Sequence, residues 1–219
     1  MGKPKQERAV QTRESLLRAA AEVFDESGFS GATISSILKR AGVTAGALYF
    51  HFDSKEALAR AVMTSQPQSI VPLLESEGLQ RLIDLTMLWS YQLQVDPILR
   101  AGVRLATEHA TQDKSSYEEW REIMQGCLQV ALDKGELQAG IVPDEVAEFV
   151  VGACTGIQMY ADVVSGRRDL PDRTRRMWQL LMPGIAMPAV VARTQVRVPP
   201  GFLPGAGADG LPARTESPS

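Results

Sequence analysis

The chain has 219 residues, 44% of them hydrophobic and 22% charged, a balance that suits a soluble globular protein of one large or two small domains. No run of about 18 apolar residues occurs, so no membrane span is expected, and no apolar stretch follows the charged opening MGKPKQERAVQTRE as an export signal requires. The net charge of −3 is uneven: the first 60 residues carry +2 and the remainder −5, so a basic end sits on an acidic protein, as suits a nucleic-acid binder.

Residues 1–9, with Lys3, Lys5 and Arg8, read as a flexible basic arm. Arg13 and Arg18 continue the charge onto a first helix over 12–27, where Leu16, Leu17, Ala20, Val23 and Phe24 recur at three- and four-residue spacing. Such charges suit either a solvated face or phosphate neutralisation. Gly28 is placed to stop this helix, and Phe29 to turn back into a small core.

The stretch 33–52, TISSILKRAGVTAGALYFHF, organises what surrounds it. Thr33 is an N-cap type, and Ile34, Ile37 and Leu38 form the apolar stripe of a short helix. Gly42 supplies a turn and Val43 plugs the corner. Thr44 then caps a second short helix whose first turn, Ala45, Gly46 and Ala47, is small enough for backbone to approach DNA closely. Two short helices joined by a glycine turn form the helix-turn-helix pattern, whose second helix enters the major groove. Tyr49 and His51 remain long enough to reach phosphate oxygens. Asp53 or Ser54 can cap a fourth helix, with Glu56 reaching back and Lys55 in the first turn beside a phosphate; this helix runs to Pro67. Residues 10–70 are thus expected to form the DNA-binding domain.

Residues 71–196 read as helix after helix, without a strand signal. An apolar helix over 73–93, including Trp89, is followed by one that Asp96-Pro97 opens, and by one from Ser115 or Ser116 that Lys134-Gly135 closes. Pro143-Asp144 and Pro171-Asp172 open the last two. In the first of these, Gly152, Ala153, Thr155, Gly156 and Gln158 suit either close helix packing or a void lined by a few polar anchors, and Trp120 suits either a core or a pocket wall. Residues 197–219, rich in Pro and Gly, read as a disordered tail.

Catalytic chemistry is scarce. His51 and His109 are the only histidines, neither has a metal-ligand partner at suitable spacing, and no nucleophile elbow, Walker or dinucleotide loop occurs. Glu118 and Glu119 are adjacent on a helix, point apart and read as solvated. Cys127 and Cys154 lie in helical patterns and read as buried, reduced thiols of a cytoplasmic protein. An enzyme, a cofactor or a metal is not expected, which also disfavours a helical enzyme or lipid carrier with an incidental helix-turn-helix.

GVTAGALYFHFDSKEAL, preceded by TRESLLRAAAEVFDESGFSGATISSIL, resembles the DNA-binding domain of TetR-family transcriptional regulators over residues 8–66. Further on, DPILRAGVRLATE, YEEWREI, FVVGACTGIQ and MPGIAMPAVVAR are similar to the γ-butyrolactone autoregulator receptors of actinomycetes, a TetR subfamily, over residues 5–193. The resemblance implies an all-α fold, with a three-helix DNA-binding head and a C-terminal ligand-binding and dimerisation domain. It implies a homodimeric repressor of antibiotic-biosynthesis genes on pseudo-palindromic double-stranded operator DNA, released by a γ-butyrolactone, a butenolide or, as in pseudo-receptors, an antibiotic. Arg13, Thr33, Thr44, Ala45, Gly46, Tyr49, His51 and Lys55 are the implied DNA-facing set. Gln66, Trp120 and Thr155 are the ligand residues the resemblance implies, with Trp120 carried by EEWRE, and Trp89 and Gln158 complete the candidate ligand set. Ala45 departs from the Lys common in relatives, which removes a phosphate contact. Helices over 146–164 and 171–184 are the expected dimer bundle, and the fourth helix the lever between ligand and DNA.

Overall fold

The computed structural model describes residues 3–108 and 114–202. Among them the secondary structure is helical apart from one isolated antiparallel bridge, Leu137 to Ala186, so the all-α expectation holds. No helix there is long and apolar enough to cross a membrane.

Helix α1 (Lys3–Gly31) begins well before its apolar stripe. Residues 3–9, expected as an arm, are helical; Glu7, Arg8 and Ala9 are good helix formers, and propensity acts at exposed positions without any apolar partner. Gly28 breaks the regular helix with φ 67° and ψ 179°, but one further turn follows, so it bends the chain instead of ending it. Phe29 does turn inward, stacking on Phe24 with ring centroids 6.1 Å apart.

Local hydrogen bonds then set α2 (Ile34–Ala41), α3 (Ala45–His51) and α4 (Lys55–Thr64). Thr33 and Ser36 form a reciprocal capping box, and Gly42 closes α2 in the left-handed conformation at φ 67°, directing its N–H to Leu38 O. Thr44 Oγ1 accepts from Ala47 N–H at 3.3 Å, and Ser54, not Asp53, caps α4 through Ala57 N–H. Leu16, Phe24, Ile37, Leu48, Leu58 and Val62 are fully buried between these helices.

The C-terminal part contains α5 (Gln66–Ile70), a 3-10 turn (Val71–Leu73), α6 (Gly78–Val95), α7 (Pro97–Glu108), α8 (Ser115–Asp133), α9 (Pro143–Ser165), α10 (Leu170–Ile185) and α11 (Pro188–Arg193). Helix α6 runs through its core, with Leu79, Leu82, Ile83 and Leu88 fully buried. Trp178 is also fully buried, and its indole N–H reaches Thr86 Oγ1 at 2.7 Å, which meets the polar demand of burying tryptophan. Asp96 caps α7 through Ile98 N–H at 2.8 Å. Both cysteines are buried and free.

Helix α7 belongs to both cores. Its Ala101, Leu105 and Ala106 pack with the head, while Leu99 packs with the C-terminal core. A boundary at residue 70 therefore leaves out the helix that completes the head.

Other readings also need correction. Helix α11 was not foreseen, because six residues burying Val190 leave little periodic signal. Residues 198–202 do not belong to a tail: Val198 is buried and Phe202 packs on the C-terminal core, while 203–219 lie outside the described residues, as does His109. Glu119 is half-buried, and desolvation, with the neighbouring Glu122 charge, raises its carboxyl pKa. Gly152 and Gly156 neither admit a neighbouring helix of this chain nor border a void: both are exposed, and an added Cβ at either would meet nothing within 4 Å.

Candidate functional site

Two regions carry chemistry, the exposed face of α3 and a cavity in the C-terminal core. Helix α3 buries Leu48 and exposes Ala45, Gly46, Tyr49 and Phe50. Tyr49 is 54% exposed and Phe50 78%, far more than a head core would leave uncovered. Phe50, overlooked in the sequence, meets His51 edge-on at 5.0 Å between ring centroids. Its signal was present as an apolar residue off the Leu48 face. The Arg13 guanidinium lies 5.3 Å from the centroid of Phe52, which brings α1 to the exit of α3. Thr33 and Thr44 are exposed at the starts of their helices, each with its hydroxyl engaged in a cap.

Lys55 departs from this face. Its ammonium donates to Phe29 O at 2.9 Å and Ala32 O at 3.0 Å, and lies 4.2 Å from the Phe29 ring centroid. Here the cation ties α4 to the last turn of α1. The reading of Lys55 as a phosphate contact is corrected accordingly, because its nearest acceptors are the protein's own carbonyls. Arg40 is likewise occupied, by Glu26 at 2.8 Å and Glu22 at 3.2 Å, and its hydrogen bond lowers the Glu26 pKa.

The pocket encloses a cavity of about 50 Å³, within about 550 Å³ of unfilled space that includes its opening to solvent. Gln66, Trp89, Trp120, Thr155 and Gln158 all line it, drawn from α5, α6, α8 and α9. Leu85, Met124, Val151 and Cys154 supply apolar wall, and Ser116 and Tyr117 add hydroxyls that the sequence did not single out. These residues are far apart in the chain, and only helix packing brings them together.

Several of the cavity's polar atoms have partners. Thr86 Oγ1 accepts from Trp178 and donates to Ile83 O, and Thr155 Oγ1 donates to Val151 O at 2.8 Å. Gln158 Oε1 accepts from Arg167 Nε at 3.3 Å. Gln66 is 1% exposed; its Nε2 donates to Met63 O at 3.0 Å, but its Oε1 is buried without any hydrogen-bond partner. Burial pushes the Cys154 thiol up to about 12, so it stays protonated near neutral pH. No side chain on the wall among the described residues is charged, and no group of metal-ligating residues occurs among them.

Helix α7 joins the two regions. Gly102 lies against the Gln66 amide, and Val103 and Ala106 stand on the cavity wall. On the head side, Arg100 pairs with Asp25 at 2.8 Å, Arg104 donates to Asp25 O at 2.6 Å, and Glu108 accepts from Phe29 N–H at 2.9 Å. Glycine suits this junction because position 28 adopts φ 67°, which residues with a side chain rarely do.

Comparison with known proteins agrees with this arrangement. Residues 16–62 match the family of bacterial regulatory proteins called the tetR family, and residues 76–187 match the tetracyclin repressor-like C-terminal domain. The chain is 40% identical over 189 residues to the A-factor receptor protein of Streptomyces griseus, covering 86% of this chain and 68% of that one. Its fold is similar to the TetR regulator TylP of Streptomyces fradiae, with a TM-score of 0.81 at 42% identity, over 86% of this chain and 93% of that one. It is also similar to a γ-butyrolactone receptor described as ArpA-like, with a TM-score of 0.66 at 34% identity, over 85% and 94% of the two chains. With both halves matched in order and α3 presented as a helix-turn-helix requires, the chain belongs to the TetR family of DNA-binding transcriptional regulators and is not an enzyme.

Proposed function

We propose that this regulator is a homodimeric repressor of antibiotic-biosynthesis genes, released from a pseudo-palindromic operator when a γ-butyrolactone or butenolide enters the cavity. The observation that carries this reading is an uncharged, mainly apolar cavity walled by Trp89 and Trp120 and joined to the DNA head through α7. The relatives named for A-factor and γ-butyrolactone reception support the ligand class.

Each head places α3 in a major groove. Thr44, Ala45, Gly46, Tyr49 and Phe50 face the bases, and Arg13, Thr33 and His51 set register on phosphates. Dimerisation uses α9 and α10, where Phe149, Met159, Tyr160, Val163 and Leu180 are exposed, Val163 by 88% and Leu180 by 84%. Apolar side chains in such a patch are costly in water, and a second copy covers them. Gly152 and Gly156 on that face let the partner helix approach closely.

Ligand in the cavity shifts α7 and α4, and with them the spacing of the two heads. It can do so only through its differential affinity for the bound and released arrangements. The test is a gel shift on DNA upstream of the gene and its neighbours, with and without a γ-butyrolactone extract. Specific binding that the extract releases is expected. Trp120→Ala is expected to bind operator but resist release; loss of operator binding instead would mean that Trp120 supports the fold alone.

A further inference from the structure

A second cleft, of about 470 Å³, opens where the end of α6, the start of α7 and the turn between α9 and α10 meet. Among the described residues its wall is Leu93, Gln94, Arg100, Gly166, Arg167 and Arg168, with three guanidiniums and no carboxylate. The volume lies within the roughly 300–1,000 Å³ that small-molecule sites occupy. The turn is held in a fixed shape. Gly166 and Arg167 both take the left-handed conformation, at φ 59° and 62°, and non-glycine residues kept there concentrate at ligand clamps. Arg167 N–H donates to Ala161 O at 3.0 Å, and Gln94 Nε2 donates to the Arg167 and Arg168 carbonyls at 2.9 and 3.1 Å.

The fold does not use up these guanidiniums. Arg100 gives Nε to Asp25 and one terminal nitrogen to Gln94 O, while Arg167 gives Nε to Gln158 and one terminal nitrogen to Asp162. A guanidinium has five N–H donors, so each keeps a terminal nitrogen for a ligand. The Arg168 side chain is exposed and has no hydrogen bond or ion pair among the described residues. Asp169, its neighbour in sequence, is occupied by Arg173 and Ser165. Asp25 and Asp162 therefore offset two of the three positive charges and leave the third unbalanced. The Arg167 side chain is only 15% exposed, so water screens its charge less than that of a surface arginine.

We infer that this cleft binds a small phosphate-bearing anion, at a site separate from the uncharged cavity. Phosphate oxygens match the paired N–H groups of guanidinium, and a dianion offers more charge than either carboxylate already present. The site bears on DNA binding through Arg100, whose 2.8 Å pair with Asp25 ties α7 to α1 of the head. An anion that draws Arg100 into the cleft loosens that tie, and operator affinity falls. None of this depends on which effector enters the cavity.

The test titrates the full chain with sodium pyrophosphate by calorimetry at constant ionic strength, with chloride as the balancing anion. Saturable binding to wild type is expected. Arg168→Gln breaks no bond of the fold, and it is expected to weaken that binding by about 10- to 100-fold with unchanged melting. Arg197→Gln, which removes an exposed arginine off the cleft, is expected to leave binding unchanged. Lack of saturable binding would overturn the site, and so would binding that survives Arg168→Gln or falls equally in both variants. At the concentration that saturates wild type, pyrophosphate is expected to weaken operator binding about fivefold or more, and to spare Arg168→Gln. An equal loss in Arg168→Gln would mean competition at the DNA-facing helix, and no loss in wild type would overturn the coupling through Arg100.

Discussion

Substituting Gly102 by alanine tests whether α7 and the cavity amide form one unit. The new Cβ would lie 2.4 Å from Gln66 Nε2, 2.5 Å from its Cδ and 2.8 Å from its Cγ. Ordinary contacts between such atoms begin near ~3.4 Å, so the amide must move by about 1 Å or α5 and α7 must separate. Either response stretches the 3.0 Å bond from Nε2 to Met63 O. Overpacking a tight interior costs about 1–3 kcal/mol, and a chain of this length loses about 2–4 °C in melting temperature per kcal/mol. Thermal melting at fixed protein concentration is therefore expected to shift down by about 2–12 °C. Lactone affinity is expected to fall by about tenfold, because Gln66 on the cavity wall is displaced. If melting and lactone affinity both match wild type, the amide is free to swing aside and the clamp does not exist.

Other perturbations separate roles that sequence alone confuses. Lys55→Met removes two hydrogen bonds to α1 carbonyls, so it is expected to lower the urea midpoint while leaving the salt dependence of operator binding unchanged; a shallower salt slope would restore the phosphate role. Phe50→Ala exposes no core and is expected to leave melting within about 0.5 kcal/mol of wild type while weakening operator binding; unchanged affinity would place Phe50 outside the interface. Asp169 is held at a pKa of about 2, first by its hydrogen bond from Arg173 and then by Ser165. A depressed carboxylate pKa stabilises the fold above the unfolded value, and that stabilisation is lost as pH falls through the folded value. Asp169→Asn is thus expected to be less stable than wild type at pH 6, with the difference vanishing between pH 3.8 and about 2; a gap that persists at pH 2 would refute the ionic origin.

The head was legible because its instructions are local. Thr33, Gly42, Thr44 and Ser54 each act through hydrogen bonds within a few residues, so caps and turns can be named from the chain alone. The helical C-terminal half was legible for the same reason: Asp96-Pro97, Pro143 and Pro171 mark helix starts by local chemistry. Family resemblance pointed to Gln66, Trp120 and Thr155, and the polar positions of α9 to Thr155 and Gln158, but nothing in the spacing of these residues and Trp89 places them on one wall.

What remained hidden depends on neighbours distant in sequence. Lys55 looks like a phosphate ligand until the last turn of α1 presents two carbonyls to it. Gly152 and Gly156 look like close-packing residues, and only the placement of α9 shows that they face outward. The sequence by itself determined an all-α chain with a helix-turn-helix, because helix periodicity and capping are short-range properties. Only the tertiary structure decided which face of each helix is buried and that α7 serves both cores. It alone left Gln66 with an unserved oxygen, because burial and hydrogen-bond satisfaction depend on every element packed around a group.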